Sequence, residues 1–309
     1  MVSLDRQTFE ELSSREGFQV DVLEKAYRLA ELLREITRTD MQEDLVLKGG
    51  TAINFMFFEL PRLSVDIDMD YIGSVEKNIM KNDRETIHEI LKRIFGILDY
   101  TPEERTSYAL HDYNLYYENS AGNRDRIELE INYLKRVPIL TTRKREFEHP
   151  FDFEKFQVLT LRTEELFGRK LTALVQRGTA RDLYDIYRLL KTGLSYDEEL
   201  MRKCFLFSLC LNRDPRGIDL TNLEQITHSD VRKSLLPLLR KGETVVLDEM
   251  KEEVRPLVKD FLTYRDKEVE FMELLFEEKD YRPEILFGDM EFNSNLSQHP
   301  GIEWRIRNI

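Results

Sequence analysis

Apolar positions between residues 18 and 36 recur at helical spacing. Val22, Leu23, Ala26, Leu29, Ala30, Leu33 and Ile36 form one stripe, which predicts a first amphipathic helix. A short apolar run at residues 45–47 then ends at Gly49-Gly50, and Thr51 opens a helix-like segment over residues 52–60. Val65-Asp66-Ile67-Asp68-Met69 alternates with period two, the pattern of a strand with one buried face. Ile87, Ile90, Leu91, Ile94, Phe95 and Leu98 mark a second long helix. Strands are predicted at 108–117 and 126–133, separated by the turn Asn119-Ser120-Ala121-Gly122-Asn123, with a short strand at 156–161. After Arg162 the pattern is almost wholly helical. Ser195 followed by Glu198 reads as a capping box opening a helix that runs through Leu211. Pro138 and the charged run Arg143-Lys144-Arg145-Glu146 predict an exposed connection near 136–150. The chain holds no internal repeat and no low-complexity tract.

These elements predict an α/β (α+β) core over residues 1–160, a mixed sheet with flanking helices, followed by a C-terminal helical domain over 161–309. Composition supports that outline: 309 residues, 41% apolar and 34% charged, describe a globular chain with a substantial core. The formal charge of −13 argues against a protein whose whole surface grips nucleic acid, while leaving room for a local basic groove. Lys135, Arg136, Arg143, Lys144 and Arg145 are the candidates for such a track, although a solvated loop is the simpler reading. Cys204 and Cys210 sit in an apolar helical run and are expected to be buried, reduced thiols. The five histidines show no metal-binding spacing. Residues 5–11 are too charged for a signal peptide, and the longest apolar run is too short for a bilayer, so a cytoplasmic protein with no membrane partner is expected.

The chemistry concentrates where the period changes. A strand ending in Gly49-Gly50 and leading into a helix lets backbone pass close to a ligand and offers free N–H groups to a phosphate. Asp66 and Asp68, two apart on a strand, project from one face; two such anions call for a cation, and Mg²⁺ is suited to carboxylate and phosphate oxygens. Either feature alone is common in proteins without such chemistry. In this order and this close together they point to nucleotidyl or phosphoryl transfer.

The string Gly49-Gly50-Thr51-Ala52 followed by Arg62-Leu63-Ser64-Val65-Asp66-Ile67-Asp68 resembles the AbiEii/AbiGii (MenT-like) branch of the DNA polymerase beta nucleotidyltransferase superfamily. The ending His299-Pro300-Gly301-Ile302-Glu303-Trp304-Arg305 extends the resemblance over essentially the whole chain. It implies the nucleotidyltransferase fold and a toxin of a toxin–antitoxin system. A third carboxylate is then expected on Ile127-Glu128-Leu129-Glu130-Ile131-Asn132-Tyr133, where Glu130 rather than Glu128 matches the family's position. Asp70 shares the face of Asp66 and Asp68 and is expected to be structural or to support them from behind. A second string, Lys170 to Asp185, looks like the family's Lys-x-x-Ala-Leu-x-x-Arg … Arg-Asp-x-x-Asp element. On pattern alone it is a charged helical hairpin, ended by Gly178 and reopened by Thr179. The resemblance gives Lys170 a phosphate-contacting role and makes Asp185 a site acid; Asp182 is the alternative acid or an orienting group for Arg177 or Arg181.

The resulting expectation is an NTP-dependent, two-metal transferase. Asp66, Asp68 and Glu130 would hold two Mg²⁺ ions. Gly49, Gly50 and Thr51 would hold the triphosphate, with Ser64 at its edge, Arg62 as a further candidate, and Lys170 and Arg177 balancing charge. The helical domain would complete the site, RNA (a tRNA 3′ end) would be the acceptor, and a cognate antitoxin protein the partner. Two alternatives remain from the sequence: a nucleotide-binding regulatory or partner-binding protein with a dormant site, and a transferase acting on a protein or small-molecule hydroxyl. The preferred NTP and the oligomeric state leave no mark in the sequence.

Overall fold

A seven-stranded mixed sheet organises the N-terminal part of the chain. The structure is a computed structural model that describes residues 5–309. The strands are β1 (Leu45–Lys48), β2 (Asp66–Tyr71), β3 (Thr101–Thr106), β4 (Leu110–Glu118), β5 (Arg124–Asn132), β6 (Arg143–Phe147) and β7 (Phe156–Thr160). Their order across the sheet is β3-β4-β5-β2-β1-β7-β6. Strands β2 and β5 run parallel, as do β1 and β7; the other pairs are antiparallel. The helices on this sheet include α1 (Arg6–Glu16), α2 (Val20–Thr37), the short α3 (Gly49–Ala52) and α4 (Lys77–Ile97).

Period-two alternation gives the sheet two chemically opposite faces. Leu45 and Leu47, Ile67 and Met69, Ile127, Leu129 and Ile131, and Tyr113 and Leu115 are all buried and share one face. Helices α2 and α4 cover it. The expected stripe of α2 is buried from Leu23 to Ile36, and α4 contributes Met80, Ile87, Leu91, Ile94 and Phe95. Helix α1, not predicted, is capped by Asp5, which accepts from Thr8 N, and packs on α2.

The chain forms two compact units. The sheet unit comprises the chain through Arg136, Arg143–Thr160 and a returning segment, Pro237–Glu243. That segment is tied to the sheet unit by a hydrogen bond from Leu63 N to Leu238 O (2.9 Å). The second unit takes Val137–Thr142, Leu161–Leu236 and Thr244–Ile309. It is helical, with α5 (Thr163–Arg177), α6 (Ala180–Lys191) and α7 (Glu198–Asn212) preceding a further series of helices. Helix α5 packs on α7, and Leu247–Phe261 packs on α6. Arg202 and Glu268 form a buried ion pair there (Nε–Oε1 2.8 Å).

Three local expectations are corrected. The exposed connection near 136–150 contains strand β6, an edge strand whose four charged residues, Arg143 to Glu146, are all exposed. Val137, Ile139 and Leu140 before it are buried. The cap of α7 is Asp197, which accepts from Leu200 N, and not Ser195. The segment after the glycines starts as helix at Gly49, widens into a π-type turn over Ile53–Phe57, and ends short of Leu60. Cys204 and Cys210 are free, buried thiols, as expected. Among the described residues, no helix is long and apolar enough to cross a membrane.

Candidate active site

Strand register places the acids. In β2, Asp66 lies opposite Glu128 of β5, Asp68 opposite Glu130 and Asp70 opposite Asn132. Lys48 at the end of β1 faces Asp68 from the other side, and Asp112 of β4 faces Glu130. One row across four strands therefore reads Lys48, Asp68, Glu130, Asp112, on the face turned away from α2 and α4. Directly opposed residues share a face with neighbouring Cβ atoms about 5 Å apart, so the row is a continuous band of charge. Asp66 and Glu130 are half-buried and Glu128 is exposed.

The glycine turn meets this band. Gly49 has φ +70°, and a Cβ added there would lie 2.3 Å from Oδ2 of Asp68. The Asp68 carboxylate thus rests directly over the glycine backbone. A Cβ at Gly50 would lie 2.8 Å from Nη2 of Arg62 and 3.1 Å from Oγ of Ser64. Those two buried side chains back the turn, and Arg62 also donates to Leu63 O (3.0 Å). Thr51 is fully buried and donates its hydroxyl proton to the carbonyl of Asp66, which ties the start of α3 to the start of β2. Asn54 donates to Gly50 O (2.9 Å) and closes the turn. Thr160 of β7 donates to Leu47 O (2.9 Å), fixing β1 from its other edge.

Lys48 is the residue the sequence reading missed. Its Nζ sits 3.1 Å from Oδ1 of the fully buried Asp70 and 3.6 Å from Oε1 of Glu130. Asp70 therefore supports the site through Lys48. The signal was present in outline: on a strand, Val46 and Lys48 share a face, and a row of acids requires a cation. The register that brings Lys48 beside Asp68 is not written in any local pattern. Asp112, likewise missed, adds to the field at Glu130. Burial raises the Glu130 carboxyl above its ordinary pKa; Lys48 opposes that shift, while Asp68, Asp112 and Asp70 reinforce it.

The other expected residues cluster within the helical unit. Lys170 of α5 is buried and pairs with both Asp182 (Oδ1, 3.0 Å) and Asp185 (Oδ2, 2.9 Å) of α6. Arg177 donates to both oxygens of Asp182 (2.7 and 3.0 Å), and Thr179 donates to Oδ2 (2.7 Å) while capping α6. Burial raises the Asp182 pKa, but Lys170, Arg177 and Thr179 outweigh it and hold the carboxyl well below the usual range. Arg181 lies in the first turn of α6, half-buried. Asp182 and Asp185 share one lysine, so geometry does not rank one above the other. The suggested basic track does not form a loop: Arg136 is buried against Val75 O and Tyr133 O, Lys144 pairs with Glu43, and Arg145 lies over Phe57.

The fold is that of the nucleotidyltransferase toxins. MenT4, a nucleotidyltransferase toxin from Mycobacterium tuberculosis, superposes with a TM-score of 0.67 at 16% identity, over 89% of this chain and 97% of that one. A putative nucleotidyltransferase from H. pylori superposes with a TM-score of 0.51 at 18% identity, over 79% and 96% of the two chains. At these identities the likeness is one of fold. The family described as "Nucleotidyl transferase AbiEii toxin, Type IV TA system" matches residues 31–271, and the chain belongs to it. None of the curated proteins compared by sequence matches it.

Proposed function

We propose that the chain transfers a nucleotide from an NTP to an acceptor hydroxyl, at the sheet face carrying Asp66, Asp68 and Glu130. The observation that supports this most is the register of Asp68, set opposite Glu130 with its carboxylate over Gly49. The donor set suits Mg²⁺: it is all oxygen, with Asp68 and Glu130 directly opposed and Asp66 two residues before Asp68 on the same strand face. Asp66, Asp68 and Glu130 would hold two such ions, which when bound lower the pKa of the attacking hydroxyl and offset charge on the phosphates.

The remaining work falls to the chain itself. The Gly49 and Gly50 amides offer N–H groups to the triphosphate, and the absence of side chains lets it approach. Thr51 holds those amides in register with Asp66, and Arg62 and Ser64 support the turn from beneath. Lys48 pairs with Asp70 and Glu130 and holds both carboxylates in place. The phosphate role of Lys170 and Arg177, and that of Asp185 as a site acid, rest on the family element. Membership of the family supports a cognate antitoxin as partner. An RNA acceptor such as a tRNA 3′ end remains the preferred substrate, in a cytoplasmic setting.

The test is incubation of the full chain with α-labelled NTPs, Mg²⁺ and total RNA. Label entering RNA and lost on ribonuclease treatment is expected, with Asp66→Asn and Asp68→Asn each slowing transfer by roughly 10²-fold or more, as for loss of a group that stabilises transition-state charge. Transfer unchanged in both variants overturns the site. Label that survives ribonuclease but not protease reassigns the acceptor to protein. NTP binding without pyrophosphate release makes the site dormant.

A further inference from the structure

The reverse face of the sheet carries a second group of chemistry-bearing residues, unrelated to the carboxylate row. His88 of α4, Glu104 of β3 and His111 of β4 converge so that one ligand atom from each lies within 4.8 Å of the others. Parity separates the two sites: Asp112 faces Glu130, whereas His111 is opposite Ile131, beneath α4. Nε2 of His111 is 2.8 Å from Oε2 of Glu104, and Nδ1 of His88 is 3.7 Å from the same oxygen. Tetrahedral ligands bound at about 2.0–2.1 Å stand roughly 3.4 Å apart, between those two separations.

We infer that His88, Glu104 and His111 form a binding site for a Zn²⁺-class cation that fastens α4 to the β3–β4 edge hairpin. Two imidazoles and one carboxylate suit zinc and disfavour Mg²⁺, which takes oxygen ligands. Tyr113 supports the arrangement. Its hydroxyl lies 3.0 Å from Nδ1 of His111, so that with a metal in place of the Glu104 contact at Nε2, an Nδ1–H would find its acceptor in Tyr113. The same hydroxyl lies 2.8 Å from Nδ1 of His88, a contact the metal replaces. Glu104 is 44% exposed whereas His111 is 6% exposed, so water can complete the fourth position from the Glu104 side. The ligand from β3 comes from a strand whose six residues, Thr101–Thr106, are all exposed at the sheet edge.

The experiment is a Zn²⁺ titration of metal-stripped full-length protein by calorimetry, with Co²⁺ absorption reporting on the ligand set. One equivalent is expected in the wild type and, unchanged, in Asp66→Asn/Asp68→Asn, so the site stands or falls apart from the transferase reading. Glu104→Gln and His88→Gln, at exposed and half-buried positions, are each expected to weaken Zn²⁺ binding at least tenfold, with far-UV dichroism in EDTA unchanged. No Zn²⁺ binding by the wild type, or wild-type affinity in both single variants, overturns the proposal. So does binding that is lost in Asp66→Asn/Asp68→Asn.

Discussion

Gly49 joins backbone conformation to chemistry at a single residue. Its positive φ is a region that side-chain-bearing residues enter at a cost of about 1–2 kcal/mol, and a Cβ would collide with the Asp68 carboxylate. Gly49→Ala is therefore expected to lower the melting temperature by several degrees and, by displacing Asp68, to reduce nucleotide transfer roughly 10²-fold, the effect of about 1 Å of misplacement at a reacting centre. Melting curves and a labelled-NTP assay on one preparation check both; full transfer by a folded variant would detach Gly49 from the site. The glycines and the Asp-x-Asp pair were legible because they form a contiguous string. Lys48 and Asp112 were not, since a lone charge at a strand end or on a wet face has no period. Only β1–β2 and β4–β5 pairing gives these two residues their neighbours. His88 and His111 escaped for the same reason: helix α4 and strand β4 bring them together, not spacing.

Elements with an apolar period could be read from the sequence; elements held by backbone pairing alone could not. Strand β5 announced itself through Ile127, Leu129 and Ile131, whereas β3, Thr-Pro-Glu-Glu-Arg-Thr, buries no side chain and exists through its ladder with β4. Strand β6 was hidden by its charges in the same way. The α5–α6 hairpin was legible as two helices around Gly178-Thr179, but its interior ion cluster shows only in three dimensions. Asp182 there carries a pH signature. Because its folded pKa is depressed, its contribution is fully present above the unfolded value near 4 and is lost as pH falls through and below that value. Asp182→Asn should cost about 2 kcal/mol at pH 7, the scale of charge-assisted hydrogen bonds lost from a buried group. The gap from wild type should close progressively between pH 4 and pH 2. Urea midpoints across that range measure it, and a gap independent of pH would mean that the ionised carboxylate is not what matters.

Over the whole molecule, 59 acidic against 46 basic residues leave a charge of −13, and this sets two salt responses of opposite sign. Self-repulsion of a net-charged compact state is screened by added salt, with a Debye length of about 10 Å at 0.1 M, so the fold should gain stability with ionic strength. The buried Arg202–Glu268 pair is shielded from that screening and should not offset the gain. Binding of the proposed RNA acceptor should respond the other way. The acceptor must approach an acidic molecule through a small local set of cations, and every phosphate neutralised releases counterions. A footprint of about three phosphates implies a loss of roughly twentyfold to fortyfold in acceptor affinity between 50 and 200 mM salt. The Michaelis constant for RNA should therefore climb steeply across a KCl series in which the melting temperature rises. An acceptor constant insensitive to salt, measured at fixed Mg²⁺ and NTP, would point away from a phosphate-bearing acceptor and toward a neutral hydroxyl on a protein or small molecule.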